Sequence, residues 1–246
     1  MIKRIILVII IIGLTILGLL QFPHLFIKKQ LEYKSFKLYS KNPIELNNEL
    51  KSVFDSVIIN LKRSSFYQED QVFELYFVKG TTYESIVKSF GVEHIASAQY
   101  NKHLYFGDPD FSQSKIIKGL DKYQWANLVQ LISHESVHSQ MYTDYSVLGF
   151  MKTPSWINEG YCEHISYFPL KNNPEYNLLD LYNRYKNSEG NWIETEFGSM
   201  TPKLYLRDRI IMEYLIDYKK RTILEIIENE TLYPDEILKE MEKELK

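Results

Sequence analysis

Hydrophobic and polar positions divide the chain into an apolar start and a longer region of mixed pattern. Residues 5–27 contain no Asp, Glu, Lys or Arg, and Ile5–Leu20 is apolar except for two Gly and one Thr. As a helix, this uncharged stretch would be about 34 Å long, enough to cross a hydrocarbon core of about 30 Å. The pattern therefore predicts an N-terminal transmembrane helix in residues 1–27.

The start of the chain resembles an export signal, because Lys3 and Arg4 precede the apolar run. No alanine occurs before Ala96, so the A-x-A-like site of a cleaved signal peptide is missing. We therefore interpret residues 1–27 as an uncleaved signal anchor, with a cleaved peptide as the alternative.

Two features of the sequence favour opposite orientations of this anchor. The lysines that follow the run outnumber Lys3 and Arg4, which by the positive-inside rule favours a cytoplasmic domain; they are Lys28, Lys29, Lys34 and Lys37. A short basic leader before a long apolar run favours export, and a large domain can translocate despite nearby charge. We expect a single-pass protein of the cell membrane with an extracytoplasmic domain.

Beyond the anchor, the periodicity predicts one α+β domain. Residues 28–43 are basic and polar, end at Asn42-Pro43, and are interpreted as a juxtamembrane linker before a domain of residues 44–246. Apolar spacing of 3.6 residues, or runs of β-branched and aromatic residues, predict the elements. Helices are expected at 44–61, 82–90, 123–141, 154–167, 178–185, 204–219, 223–229 and 234–245; strands at 71–78 and 96–106; a turn at 108–110; and loops through most of 171–202.

Composition and charge narrow the classes of function. With 25% charged and 45% hydrophobic residues, the chain is of ordinary globular composition. Residues 1–30 carry four positive charges and no negative ones, so the remainder has a formal charge of −7 and no basic footprint for nucleic acid. The single cysteine, Cys162, excludes an internal disulfide and a cysteine-rich metal site.

The candidate chemistry begins on the helix predicted at 123–141, where His134-Glu135-Ser136-Val137-His138 forms an H-E-x-x-H pattern. Residues four apart lie on one face of a helix, so both imidazoles can point at one metal ion. Glu135 beside them could reach a metal-bound water. Zinc needs a third protein ligand and leaves its fourth position to that water.

A second segment, Trp156-Ile157-Asn158-Glu159-Gly160, follows, with twenty residues between His138 and Glu159. Together the two segments resemble the gluzincin branch of the H-E-x-x-H zinc peptidases, a peptidase MA-like group in which the third ligand is a glutamate on a following helix. In the aminopeptidases of this group that glutamate lies in W-L-N-E-G. The resemblance implies a zincin-like catalytic domain, with a small mixed sheet, a zinc-site helix and a helical C-terminal part. It also implies that His134, His138 and Glu159 bind Zn²⁺ and that Glu135 is the general base.

Two other third ligands are weighed. Asp144 has the spacing of the metzincin ligand, but Met141 stands where that pattern requires a helix-breaking Gly. His164 is five residues from Glu159 and lies on a different helical face.

Two further residues are assigned by the resemblance. Glu163, one helical turn after Glu159, has the spacing of the carboxylate that orients the first zinc histidine in thermolysin-like enzymes; the alternative is a solvated surface charge. Tyr205 begins a segment that loosely matches Y-x-K-G-A-x-V-x-x-M-L of the aminopeptidases, whose tyrosine stabilises the oxyanion; the alternative is a core tyrosine.

The sequence thus predicts a membrane-anchored zinc metallopeptidase that hydrolyses peptides or proteins, with a non-catalytic zincin-fold binding module at the cell surface as the alternative. No G-x-M-E-N-like motif precedes the zinc helix, so exopeptidase action has no support. The strand ending at Phe106 is a candidate edge strand for pairing with a peptide, and His103 on it is a weaker candidate for the site.

Overall fold

The computed structural model describes residues 22–89, 96–98, 103–117, 125–167, 176–229 and 232–245. Residues 1–21 of the predicted anchor lie outside these ranges, and Pro23–Leu25 form one 3₁₀ turn. No helix in the described ranges is both long and apolar enough to cross a membrane.

The helices account for most of the described chain. In order they are α1 (Asn48–Leu61), α2 (Thr82–Ser89), α3 (Leu128–Lys152), α4 (Ser155–Ser166), α5 (Leu178–Asn187), α6 (Lys203–Glu213), α7 (Ile223–Glu228) and α8 (Pro234–Leu245). A π-helical turn, Tyr214–Tyr218, follows α6 without a break.

The strands are short and form three sheets. They are β1 (Lys29–Tyr33), β2 (Phe36–Ser40), β3 (Phe73–Phe77), β4 (Ala96–Ala98), β5 (His103–Phe106), β6 (Asp108–Asp110), β7 (Lys115–Ile117), β8 (Trp125–Asn127), β9 (Trp192–Glu194) and β10 (Met200–Pro202). The main sheet has the order β1-β2-β3-β5-β4; β6, β7 and β8 form a second sheet, and β9 and β10 a hairpin. The main sheet is mixed, because β2–β3 and β3–β5 are parallel whereas β1–β2 and β4–β5 are antiparallel. The α+β expectation of a small mixed sheet and a helical C-terminal part is confirmed.

Residues 28–43 are not a linker. They contain the hairpin β1–β2, whose two-residue turn places Lys34 in the left-handed region with φ 50°. The lysines made this segment look solvated, but Phe36 and Leu38 alternate with them and are fully buried. A period of two puts alternate residues on opposite faces, so a strand can bury one face while carrying lysines on the other.

Several other predicted elements differ from the structure. The helix expected at 123–141 begins only after strand β8 and continues to Lys152, and the hairpin β9–β10 lies in the region expected as loop. The strand expected at 96–106 is two antiparallel strands, β4 and β5, and β4 rather than β5 is the edge of the sheet. Asp108–Asp110, expected as a turn, pairs with β7 as a strand. Proline is compatible with a strand whose N–H is not needed for pairing.

The main sheet is covered on both faces. One face packs its aromatic and aliphatic residues against α1, where the Phe36 and Phe54 rings are 4.7 Å apart, and joins the same core as α3 and α4. On the other face tyrosines from neighbouring strands stack in a row, Tyr39 on Tyr76 and Tyr76 on Tyr105, and Tyr83 of α2 closes the row. Burial on both faces is typical of parallel strands.

Helices α4 and α6 cross at close range because of one glycine. A Cβ atom at Gly160 would lie 2.5 Å from the backbone oxygen of Asp208, closer than any real contact. The absence of a side chain at Gly160 therefore sets the distance between Glu159 on α4 and Tyr205 on α6.

Candidate metal centre

Helix α3 carries both histidines of the H-E-x-x-H pattern. It begins at Leu128, is capped by Asn127, whose side chain accepts a hydrogen bond from the backbone N–H of Gln130 at 3.0 Å, and extends without interruption through His138. Four residues apart, the two imidazoles share a face, and their ring centroids are 4.9 Å apart. Both side chains are buried, so the pair faces the interior of a cleft rather than solvent.

Glu159 of α4 meets both imidazoles with one oxygen. Its Oε2 lies 3.2 Å from Nε2 of His134 and 3.5 Å from Nε2 of His138. Ligand atoms of a tetrahedral zinc ion, at bond lengths of about 2.0–2.1 Å, are about 3.3 Å apart. Oε2 is also buried without a well-aligned hydrogen bond. The spacing and the unsatisfied oxygen both fit a small divalent cation between the three atoms.

Glu163 lies on the other side of His134. Its Oε1 is 3.0 Å from Nδ1 of His134, which leaves Nε2 of that ring directed at Glu159. Gln130, one turn before His134 on α3, donates from Nε2 to the same Oε1 at 3.3 Å. A carboxylate that holds the distal nitrogen of a ligating histidine fixes the ring orientation.

The carboxylates dominate the electrostatics of this site. Burial lowers the pKa of His134, but the facing carboxylates of Glu159 and Glu163 outweigh burial and raise it. Burial likewise opposes ionisation of Glu159, yet the two histidines lower the pKa of its carboxyl. The two carboxylates therefore stabilise positive charge between them, whether on an imidazolium or on a metal ion bound in place of its proton.

Tyr205 comes to the site from the start of α6. Its ring stacks on His134 with centroids 5.9 Å apart and an interplanar angle of 13°. Burial, together with the neighbouring carboxylates Glu159 and Glu135, raises the pKa of the phenol, so its hydroxyl stays protonated and can donate a hydrogen bond.

One cavity of about 420 Å³ joins the residues of this site. It is lined by Gln130, His134, Glu135, His138, Glu159, Glu163 and Tyr205. The cavity is bordered by three elements besides α3, α4 and α6. They are the edge strand β4, Ala126 of β8 and the hairpin β9–β10 with its loop. Its described lining residues include Ala96, Ser97, Ala98, Leu131, Tyr142, Phe150, Tyr167, Trp192, Thr195, Ser199, Met200, Thr201 and Pro202.

The loop of the β9–β10 hairpin is held by a buried arginine. Arg209 of α6 is 1% exposed; it donates to Glu213 at 2.8 Å and contacts Glu196 of the loop at 3.2 Å. Its guanidinium also lies 4.0 Å from the ring centroid of Tyr167, a residue of the cavity wall. The ion pairs and the ring contact together fix the hairpin against α6.

Cys162 is a further potential ligand that belongs to neither sequence motif. His134, His138 and Cys162 form a buried group whose possible ligand atoms all lie within 4.8 Å of one another, so this group could hold a metal ion. However, Cys162 is fully buried and is not among the described cavity-lining residues, whereas Glu159 is. Burial also raises the pKa of the thiol, which opposes the thiolate that a metal ligand requires.

The remaining candidates lie away from the described cavity lining. Asp144 accepts a hydrogen bond from Gln68, and His164 faces Asp217 with Nδ1 3.7 Å from its carboxylate. His103 pairs with Glu74, its Nε2 3.1 Å from Oε2, beside the row of stacked tyrosines.

Comparison with protein families, curated proteins and solved structures found no match for this chain.

Proposed function

We propose that this protein is a membrane-anchored zinc metallopeptidase that hydrolyses peptide bonds. The observation that carries the proposal is the convergence of His134, His138 and Glu159. Oε2 of Glu159 lies 3.2 Å from Nε2 of His134 and 3.5 Å from Nε2 of His138, the spacing of ligands around one zinc ion. Glu135 faces the same cavity, as the mechanism requires.

The donor set favours zinc over other metals. Two neutral imidazoles and one carboxylate, with the fourth position open to a cavity, are typical of catalytic zinc. Hard cations such as Mg²⁺ and Ca²⁺ prefer oxygen ligands only. Zinc bound here would act as a Lewis acid that polarises a carbonyl and lowers the pKa of water.

The protein's own residues would carry the proton transfers. Glu135 would take a proton from water as the oxygen adds to the peptide carbonyl carbon, and would pass that proton to the amide nitrogen as the C–N bond breaks. Tyr205 would donate a hydrogen bond to the carbonyl oxygen while that atom gains negative charge. Glu163, with Gln130, would hold the His134 ring in place throughout.

The decisive test is Glu135→Gln in the full-length protein purified in detergent. Loss of the base should lower peptide hydrolysis by about 10²- to 10⁴-fold, while zinc content stays at that of the wild type. Mass-spectrometric digestion assays and elemental analysis would measure the two quantities.

The control is Glu194→Gln, the same change at an exposed position of β9 outside the described cavity lining. It should keep both zinc and activity. If Glu135→Gln keeps full activity, the proposed mechanism is wrong. If the wild type binds zinc but cleaves no peptide, the non-catalytic binding module is the better description.

A further inference from the structure

The cleft continues beyond the metal ligands. A second cavity of about 360 Å³ shares Tyr142, Phe150 and Glu159 with the first. Its other described lining residues come from the end of α3, the α3–α4 junction and the start of α4: Met151, Thr153, Ser155 and Asn158. Because the shared residues include the ligand Glu159, the two cavities meet at the metal centre.

The first cavity offers backbone as well as side chains to a ligand. Strand β4 is the last strand of the main sheet, and Ala96, Ser97 and Ala98 all line the cavity. An edge strand has unpaired N–H and C=O groups on its outer side, and an extended peptide can pair with them. The small side chains of Ala96 and Ala98 leave room for this approach.

The second cavity has a different character, since it is bounded by helices. Phe150 forms part of the shared wall: its ring lies 4.0 Å from that of Tyr142 and 5.8 Å from that of His138. Beyond this wall Met151 and Ser155 are exposed to solvent. The cavity is therefore an open continuation that can receive more residues of a bound chain.

The charges of the described lining residues give no anchor for a chain terminus. Neither cavity has a Lys or Arg among its described lining residues, so a terminal carboxylate would lie there without a counter-charge. The described lining has three carboxylates. Glu159 and Glu163 face the imidazole of His134, and Glu135 is the proposed general base. The described lining thus suits the uncharged interior of a peptide.

We propose that the substrate is an internal segment of an extended polypeptide, which lies across both cavities with the cleaved bond at the metal centre between them. The protein is then an endopeptidase. This inference rests on the proposed peptidase function and adds to it the class of substrate and the place of the cut.

The first test uses peptides of ten residues in two forms, one with free ends and one acetylated and amidated, with full-length protein in detergent and a chelator control. Internal cleavage of both forms at rates within about threefold is expected, because no free terminus is bound. Mass spectrometry identifies the bonds that are cut. Release of single terminal residues, seen only with free ends, would overturn endopeptidase action while leaving the peptidase function intact. A wild type that cleaves neither form, with or without added zinc, would overturn both proposals.

The second test uses a substitution that reduces the space in the second cavity. Ser155→Trp places a large side chain at an exposed position of that cavity, whereas Lys152→Trp adds the same side chain three residues away at an exposed position outside the described lining of both. For Ser155→Trp, kcat/KM should fall at least about tenfold more with the ten-residue peptide than with a blocked tripeptide, a difference of about 1.4 kcal/mol. For Lys152→Trp, kcat/KM should change by the same factor with the two peptides. An equal effect of both variants on both peptides would refute the role of the second cavity.

Discussion

Glu159 is partly exposed and Cys162 is fully buried, and both lie on α4 close to the two histidines, so individual atoms decide which of them is the third ligand of the proposed zinc site. Glu159 directs Oε2 into the cavity at ligand spacing, while the Cys162 thiol lies in the core. The two residues are three apart, and their substitutions can be compared directly.

We predict that Glu159→Ala lowers bound zinc from one ion per chain to near zero, whereas Cys162→Ala keeps it. Removal of one zinc ligand eliminates a metal bond, but removal of a buried thiol costs only the packing of one sulphur, about 1–2 kcal/mol. Elemental analysis of both full-length variants measures the result. The opposite outcome, zinc retained by Glu159→Ala and lost by Cys162→Ala, would replace the ligand set by His134, His138 and Cys162.

A second residue-scale prediction concerns Asp208, which lies in the close contact between α4 and α6. Burial raises the pKa of this carboxyl to about 6, with added repulsion from Glu159 and Glu163, although Arg207 opposes the shift. In the unfolded chain this carboxyl ionises near pH 3.8. Its contribution to stability is therefore most favourable below that pH and is lost as pH rises through about 6. The corresponding cost at pH 7.5 is roughly 3 kcal/mol.

Asp208→Asn should therefore raise the melting temperature at pH 7.5 and change it much less at pH 3.5, where Asp208 is protonated in the folded state and mostly protonated in the unfolded state. Part of the gain is offset because the contact with Arg207 is weakened, so a net gain of about 1–2 kcal/mol is expected. Asp70→Asn, at an exposed turn position, is the control for loss of a carboxylate. A lower melting temperature for Asp208→Asn at pH 7.5 would show that the Arg207 contact outweighs burial.

The sequence was informative about residues whose spacing is local. His134, Glu135 and His138 lie within five residues of one helix, and Glu159 is marked by the letters around it. Gln130 could have been found, since it precedes His134 by four residues on the same face. Cys162 and Arg209 could not, because their roles depend on the packing of α4 against α3 and of α6 against the hairpin.

At the scale of elements, the contact at Gly160 couples two helices of the site. A methyl group there would collide with the backbone of Asp208, so α6 must move away from α4. We predict that Gly160→Ala lowers stability by about 1–3 kcal/mol. We also predict that it lowers kcat more than tenfold, because Tyr205 moves with α6. Thermal unfolding and peptide kinetics measure the two effects.

The control for Gly160→Ala is Gly80→Ala, in the turn after β3 with φ 73°. Strain at that φ should also reduce stability, by about 1 kcal/mol, but Gly80 is not among the described cavity-lining residues, and kcat should be kept. Equal kcat for wild type and Gly160→Ala would mean that the helix contact does not position Tyr205.

Long helices were predicted from the sequence better than short strands. A 3.6-residue apolar repeat extends over several turns in α1, α3 and α8, whereas β4, β6, β9 and β10 have three residues each and too few positions to show a period. The hairpin β9–β10 was expected as a loop for this reason. Its place in the cavity wall depends on the ion pair between Glu196 and Arg209, and no local sequence pattern predicts a pair at that separation.

At the scale of the whole molecule, we predict that the apolar segment 5–27 holds the proposed peptidase domain at a membrane. We predict that the full-length protein sediments with membranes and that added protease digests its domain on intact cells. A version lacking residues 1–21, compared in parallel, should leave the membrane fraction. Protection of the domain until lysis would place it in the cytoplasm, as the lysines after the segment favour.

The parallel pairs of the main sheet also bear on how quickly the molecule can fold. Phe36 pairs with Phe73 and Glu74 with His103, so each contact must close a long loop, while the β1–β2 hairpin closes a loop of two residues. A hairpin forms in about 1–10 μs, but contacts of high sequence separation form more slowly because loop-closure entropy precedes any gain. Edge strand β4 joins the sheet through β5, so the wall that β4 gives to the cavity should assemble after these late contacts have formed.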